Sequence, residues 1–254
     1  MIYYLYDGSY AGFLTCVFER FERRDQQVFP VVENEYIPSF FDGSLAVVSQ
    51  KEKAERVLLG LRKKLSQRET ADFFRVFLSE YSKARQAAFE LICQVFEENT
   101  DILMNYGNEK VLYFSQTLKK VSRERHRMKA FVRFKKSSDG MFYAMVDPDF
   151  NVLPLIADFF RKRYADQPWL IYDTKRNYGL LYNLAEVAEV RLSPVEKNAL
   201  TAASSITLDE EDEHFQQLWK QYFKSTNIEA RRNMKLHLQY LPRRYWKYLP
   251  EKRE

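Results

Sequence analysis

The sequence is poor in cysteine and contains no long apolar run. Cys16 and Cys93 are its only cysteines, and they lie far apart in apolar, helix-like stretches. Two distant thiols exclude an iron–sulfur cluster and a cysteine-rich zinc site, and they indicate buried, reduced thiols in a cytoplasmic protein. No stretch approaches the roughly 18 apolar residues of a transmembrane helix. The N-terminus lacks basic residues and meets an acid at Asp7, so we expect no signal peptide and no membrane partner.

Motifs for metal binding and for nucleophilic catalysis are missing as well. The three histidines, His126, His214 and His237, stand in no HxxxH or HExxH spacing, and no GxSxG is present. The sequence therefore predicts no metal site and no bound cofactor, and it offers no recognisable catalytic constellation. A pair of carboxylates that comes together only in the folded chain stays open at this point.

Aromatic and basic residues, by contrast, are abundant. Aromatic residues make up 16% of the chain and hydrophobic residues 46%, which supplies a packed core and excludes low-complexity disorder for most of the chain. The formal net charge is +5. A charge of this size points to a polyanionic partner only where the cations cluster on one face.

The apolar periodicity predicts an α+β fold with a helix-rich N-terminal half. There we expect strands in IYYLY, VFPVV and SLAVVS and helices after Ser9 and over KEKAERVLLGLRKKLS. One long helix should carry the stripe from Phe74 to Val95, and another the stripe from Val111 to Met128. In the middle, AFVRF, MFYAMV, WLIYD, YGLLYN and EVAEVRL, with a helix capped by Asn151, predict a small mixed or antiparallel β-β-α-β-β-β sheet.

The remaining chain, after a polar connector, is predicted to be a helical basic C-terminal segment. We expect a single domain over 1–254. An alternative subdivision gives a helical part over 1–129, a sheet part over 130–192 and a C-terminal helical basic part over 193–254.

The opening stretch YDGSYAGF resembles a phosphate-binding turn at first sight. A P-loop needs a lysine followed by Ser or Thr after its last glycine, whereas Phe13 follows Gly12 here, and no GxGxxG is formed. The stretch is therefore interpreted as a strand-to-helix turn in which Ser9 caps the helix. A single phosphate at that helix N-terminus is the alternative.

The run KKVSRERHRMKAFVRFKK is the strongest basic segment, with ten Lys or Arg between Lys110 and Lys136. Helical spacing places Lys120, Arg123 and Arg127 on one stripe, and strand alternation places Phe131, Arg133 and Lys135 on one face. Cations beside an aromatic ring suit nucleic acid, since the cations bind phosphates and the ring stacks on a base. A solvated helix face followed by a buried strand is the alternative.

The C-terminal run QYLPRRYWKYLPEKRE mixes the same residue types. It contains the candidate nucleic-acid-binding residues Arg243, Arg244, Tyr245, Trp246 and Lys247. The alternative is that its aromatic residues pack into the core while its cations stay in water. In YDTKRNYG, Lys175 is a conceivable nucleophile, although a solvated turn fits the pattern better.

Three blocks together carry a family resemblance. They are the opening YDGSYAGFLTCVFE, the middle block from ERHRMKAFVRF to YDTKRNYGLLYN, and the closing LWKQYFKSTNIEARRN and LPRRYWKYLPE. The chain resembles a bacterial family of unknown function whose members are described as proteins of DNA metabolism or DNA repair. The family blocks fall on Tyr6, Asp7, Gly8, Ser9, His126, Arg127, Phe131, Arg133, Phe134, Arg243, Tyr245, Trp246 and Lys247.

The resemblance implies DNA as a partner, together with either of two kinds of enzyme. Family members are encoded beside a radical-SAM protein with a helix-hairpin-helix element, or are fused to a uracil-DNA-glycosylase-like domain. We therefore expect an accessory protein that binds nucleic acid and works with such an enzyme. Two alternatives stay open. One is an enzyme that itself acts on damaged or modified DNA through Asp7, His126 or Lys175, and the other is a protein-binding scaffold without nucleic-acid affinity.

Overall fold

The computed structural model describes residues 2–38, 43–97, 100–136, 141–193 and 242–249. The chain divides into two compact units, Met1–Ser122 and Arg123–Glu254. Within the described ranges, six α-helices accompany a three-stranded and a five-stranded sheet, which confirms the predicted α+β class. No helix among these residues is long and apolar enough to cross a membrane.

The first unit is built on a parallel sheet. Its strands are β1 (Ile2–Tyr6), β2 (Val28–Val32) and β3 (Gly43–Ala46), in the order β2-β1-β3. All three strands were predicted, but their parallel pairing was not, because pairing depends on the helical crossovers between them. With β1 in the centre, the carboxyl ends of all three strands meet at one edge of the sheet.

Four helices and the greater part of a fifth complete the first unit among the described residues. They are α1 (Tyr10–Arg23), α2 (Lys51–Lys64), α3 (Gln67–Phe77), α4 (Ser82–Glu97) and α5 (Glu109–Phe131), with short 3-10 turns at Glu33–Glu35 and Thr100–Met104. Their apolar faces form the core, in which Phe13, Phe73 and Leu91 are fully buried. Both cysteines are buried and unpaired, as predicted.

The single helix predicted from Phe74 to Val95 is wrong, because the chain breaks between α3 and α4. Glu80 adopts a left-handed backbone conformation with φ 61° at this break. The side chain of Ser79 accepts a hydrogen bond from the backbone N–H of Tyr81 at 3.3 Å. The apolar spacing continues across the turn, and no glycine or proline marks it, so periodicity alone did not reveal the break.

The second unit contains a mixed sheet in the order β4-β5-β6-β7-β8. Its strands are β4 (Lys135–Lys136), β5 (Phe142–Val146), β6 (Trp169–Asp173), β7 (Tyr178–Tyr182) and β8 (Val187–Val190). Only β5 and β6 pair in parallel among these strands, and α6 (Leu153–Arg163) makes the crossover between them. The β-β-α-β-β-β order is confirmed, and all five residues of β6 are buried.

The predicted strand AFVRF is wrong, since α5 continues through Phe131, residues 132–134 belong to no helix or strand, and β4 begins only at Lys135. The Arg133 guanidinium donates hydrogen bonds to the carbonyl oxygens of Ala130 at 2.6 Å and Val132 at 3.3 Å. A cation at this position satisfies helix-terminal carbonyls that have no partner within the helix. Phe131, Arg133 and Lys135 therefore do not share the face of one strand. The connection from β4 to β5, which contains Asp139 and Gly140, lies outside the described residues.

The predicted cap of α6 is wrong. Pro154 lies in the first turn of this helix, but Val152 precedes it and Asn151 does not cap it. Instead, the Asn151 amide oxygen accepts a hydrogen bond from the Tyr178 hydroxyl. In the C-terminal segment the structure describes only residues 242–249, where Arg243–Tyr248 form a 3-10 turn. The polar connector, the rest of the predicted helical segment, and His214 and His237 lie outside the described residues.

Candidate functional site

The opening turn of the first unit satisfies its own polar groups. The Asp7 carboxylate accepts hydrogen bonds from the backbone N–H of Ser9 at 2.9 Å and from its hydroxyl at 2.7 Å. The Ser9 hydroxyl oxygen in turn accepts the Gly12 N–H at 2.9 Å, which confirms Ser9 as the cap of α1. Burial alone would raise the pKa of Asp7, but the hydrogen bonds from Ser9 and Ser49 outweigh it and lower that pKa. The ionised Asp7 carboxylate thus lies at the N-terminus of α1, where a phosphate would have to bind.

The structure of this turn requires glycine at both Gly8 and Gly12. Gly8 has φ 81°, a left-handed conformation that other residues adopt at a cost. A Cβ atom on Gly12 would lie 2.5 Å from the Asp7 carboxylate and would also overlap the Ser49 hydroxyl. The geometry therefore favours a strand-to-helix turn over a phosphate cradle.

The predicted basic residues of α5 have different surroundings. Lys120, Arg123 and His126 are exposed. Arg127 is mostly buried and lies 3.7 Å from the Glu124 carboxylate. Only the first three of these side chains are therefore freely open to solvent along the helix.

Glu124 is a buried acceptor that sequence reasoning missed. It is 1% exposed, accepts the backbone N–H of Asp149 at 3.0 Å and also accepts the Tyr245 hydroxyl. Tyr245 is fully buried and its ring lies 5.4 Å from that of Phe131. Tyr245 thus belongs to the core and has no ring face to offer a base. The only signal in the sequence was a lone acid inside a basic run.

The rest of the closing segment is more open. Arg243 is exposed, and its guanidinium lies 6.0 Å from the centroid of the Trp246 ring, which is half-buried. The side chains of Arg244 and Lys247 lie outside what the structure describes. Lys135 is half-buried on β4, where it pairs in register with Tyr143.

A cleft of about 470 Å³ in the second unit combines cations with aromatic rings. It lies between the end of α5, the segment that follows it, and the end of α6. We call it the basic-aromatic cleft, and its lining residues are Lys129, Ala130, Val132, Arg133, Phe134, Phe142, Phe159, Phe160, Arg163, Tyr164 and Gln167. This lining carries three cations and no acid. Arg133 is a predicted site residue and Phe134 a family position, whereas Lys129, Phe159, Arg163 and Tyr164 were missed.

The aromatic rings of this cleft are held in place by packing. The Phe134 ring lies 5.2 Å from that of Tyr164 and 5.7 Å from that of Phe160, which in turn packs against Trp169. On the other side, the Lys129 ammonium lies 4.9 Å from the centroid of the Phe159 ring. Burial, with the nearby charge of Arg125 as a smaller cause, lowers the pKa of Lys129. Packing within the protein therefore fixes the positions of these rings.

A second cleft, in the first unit, has a similar size and a different charge balance. Its volume is about 400 Å³, and its lining includes two cations and two acids. Arg20 pairs with Glu97 at 2.6 Å, and Lys110 pairs with Glu90. We call it the paired-charge cleft. Because its charges neutralise each other, it offers little attraction for a polyanion.

The turn around Lys175 is a structural element of the second unit. Asp173 is fully buried and accepts hydrogen bonds from the backbone N–H groups of Lys175 and Arg176 and from the Arg176 guanidinium, the last at 2.8 Å. Arg176 also donates to the carbonyl oxygens of Pro148 and Asp149. Lys175 itself is exposed, so nothing desolvates its amine. Across the described residues there is no group of three or more potential metal ligands.

Comparison with protein families identifies the family of this chain. Residues 82–251 match the sequence profile of DUF4130, a domain of unknown function, and this match covers more than half of the chain, including the basic-aromatic cleft. No curated protein matches the sequence. The chain therefore belongs to the DUF4130 family.

Proposed function

We propose that this protein binds nucleic acid through the basic-aromatic cleft and acts as an accessory protein in DNA metabolism or repair. The observation that carries the proposal is the lining of the cleft, in which Lys129, Arg133 and Arg163 lie beside five aromatic side chains with no acid among them. Cations bind phosphates, and aromatic faces stack on bases. The exposed cations Lys120 and Arg123 and the net charge of +5 are consistent with an anionic partner.

The choice of DNA and of a protein partner rests on the family resemblance of the sequence. Proteins with these blocks are encoded beside radical-SAM proteins or fused to uracil-DNA-glycosylase-like domains. In this proposal the chain delivers or holds DNA for such an enzyme. The alternative of an independent enzyme is less well supported, because the Asp7 carboxylate is engaged by Ser9, the cap of α1, and Lys175 lies in a solvated turn.

The test is fluorescence anisotropy of labelled single-stranded, duplex and uracil-containing DNA over a series of salt concentrations. We expect the logarithm of the binding constant to fall linearly with the logarithm of salt concentration, by about 0.7–0.9 for each phosphate contact. Arg163→Gln should reduce both the affinity and that slope. Lys162→Gln removes the same charge from the neighbouring exposed position outside the cleft and should change both much less.

Two results would overturn the proposal. If the folded protein binds none of these DNAs at low salt, the scaffold hypothesis is favoured instead. Co-purification with a radical-SAM or uracil-DNA-glycosylase-like protein would then test that hypothesis. Equal effects of the Arg163 and Lys162 substitutions would remove the cleft from the binding site.

A further inference from the structure

We infer that the basic-aromatic cleft takes an unpaired nucleotide, with its base against the aromatic wall and its phosphates on the cations at the mouth. The inference rests on the proposed function and deepens it, because it names the form of nucleic acid. On this inference the protein binds single-stranded or locally opened DNA in preference to intact duplex.

The shape of the site favours an unpaired base. Phe159 and Tyr164 are only half-buried, and both line a concave space of about 470 Å³. In a duplex the base faces are stacked on each other, so aromatic side chains in a cleft cannot reach them. A single-stranded base exposes its faces and can stack on a ring.

The polar groups of the site are placed for the remaining parts of a nucleotide. Arg163 is exposed at the end of α6, where its charge can meet a phosphate in solvent. Gln167 is a half-buried amide on the same lining and provides both a donor and an acceptor for the edge of a base. The cleft therefore offers the three kinds of group that one nucleotide needs: a cation, a ring and a neutral amide.

Packing keeps the cost of binding small. Phe134, Phe160, Tyr164 and Trp169 contact one another at ring-centroid distances between 5.2 and 6.3 Å. Rings already fixed in this way lose little conformational freedom when a base stacks on them. The free energy of stacking therefore contributes to the affinity with little loss to the ordering of side chains.

The inference is tested with three labelled probes that carry the same number of phosphates per strand. These are an oligothymidylate, the same strand with tetrahydrofuran abasic residues in place of every nucleoside, and a duplex. We expect the abasic strand to bind about 5- to 150-fold more weakly than oligothymidylate, the range for stacking of one base. The duplex should also bind more weakly than oligothymidylate. Equal binding of all three would overturn the inference and leave the proposed function standing, whereas no binding of any probe would overturn the proposed function itself.

Side-chain substitutions place the effect in the cleft. Phe159→Leu keeps an apolar side chain but removes the aromatic face, and it should bring the ratio of oligothymidylate to abasic affinity down towards one. Affinity for the abasic strand, which uses the cations alone, should persist and reports that the variant is folded. Phe21→Leu is the matched control, since Phe21 is a partly exposed ring on α1 of the first unit and should leave the ratio unchanged. Tyr164→Leu serves as a second variant, and an unchanged ratio in both cleft variants would contradict the inference.

Discussion

Two clefts among the described residues have similar volumes and different charge balances. In the paired-charge cleft of the first unit, each of the cations Arg20 and Lys110 contacts an acid. In the basic-aromatic cleft of the second unit, the lining has three cations and no acid. Cavity size therefore does not distinguish them, and the difference lies in the acids, which line the first cleft and are absent from the lining of the second.

Paired charges occur elsewhere in both units. Buried Glu19 of the first unit accepts hydrogen bonds from Lys53 at 2.5 Å and Arg23 at 2.8 Å, and buried Asp173 of the second unit accepts one from the Arg176 guanidinium at 2.8 Å. Internally paired charges stabilise a fold but attract little from solution. The proposed binding surface is therefore the basic-aromatic cleft itself, whose lining has no acid, and not the second unit as a whole.

The largest expected effect comes from reversing one charge in each cleft. Arg163→Glu should weaken DNA binding roughly 10- to 150-fold, because a charge-assisted hydrogen bond contributes roughly 1.5–3 kcal/mol and the new acid also repels phosphate. Lys110→Glu, which makes the same charge change in the paired-charge cleft, should alter DNA affinity far less. Anisotropy titrations at one fixed salt concentration compare the two variants, and an equal loss in both would abolish the distinction between the clefts.

A change at the opening turn should affect stability and leave DNA binding intact. Gly12→Ala places a methyl group against the Asp7 carboxylate and the Ser49 hydroxyl, and we expect it to destabilise the protein by about 1–3 kcal/mol. Urea unfolding of wild type and variant measures this change. A variant of normal stability that had lost DNA binding would show that the turn is a functional site after all.

The smallest expected effect is the pH dependence of the contribution that Glu19 makes to stability. Burial alone would raise the pKa of Glu19, but hydrogen bonds from Lys53 and Arg23 prevail and hold it below the ordinary value of 4.5. A lowered folded-state pKa means that ionised Glu19 stabilises the fold above its ordinary pKa and that this contribution disappears as the pH falls through the lowered value. Glu19→Gln should therefore be less stable than wild type near pH 7, and the gap should narrow below about pH 4. Thermal melts across pH check this, and a gap independent of pH would refute the assignment.

Local chemistry could be predicted from the sequence, and long-range assembly could not. Ser9 was identified as a helix cap because the capping hydrogen bond joins residues three positions apart. Arg133 was identified because it lies in a dense basic run. Phe159 and Arg163 were missed because α6, the crossover between β5 and β6, brings them to the end of α5. The sequence order alone contains no sign of that approach.

The errors in secondary structure have a similar origin. AFVRF alternates like a strand, but Phe131 also continues the apolar face of α5. The Phe131 ring contacts that of Tyr245, which lies more than a hundred residues later in the sequence. Tyr245 in turn was a candidate for base stacking because its neighbours are basic. Its burial depends on Glu124, a partner that no local pattern indicated.

The most direct test of the account is to locate the bound nucleic acid by photo-crosslinking. A single-stranded oligonucleotide with 5-iodouracil is irradiated on the protein, and the crosslinked peptides are identified by mass spectrometry. The account predicts crosslinks to the peptides that carry Phe134, Phe159 or Tyr164, and their loss when unlabelled single strand competes. Crosslinks confined to the peptides around Phe29 and Phe89, which line the paired-charge cleft, would contradict it.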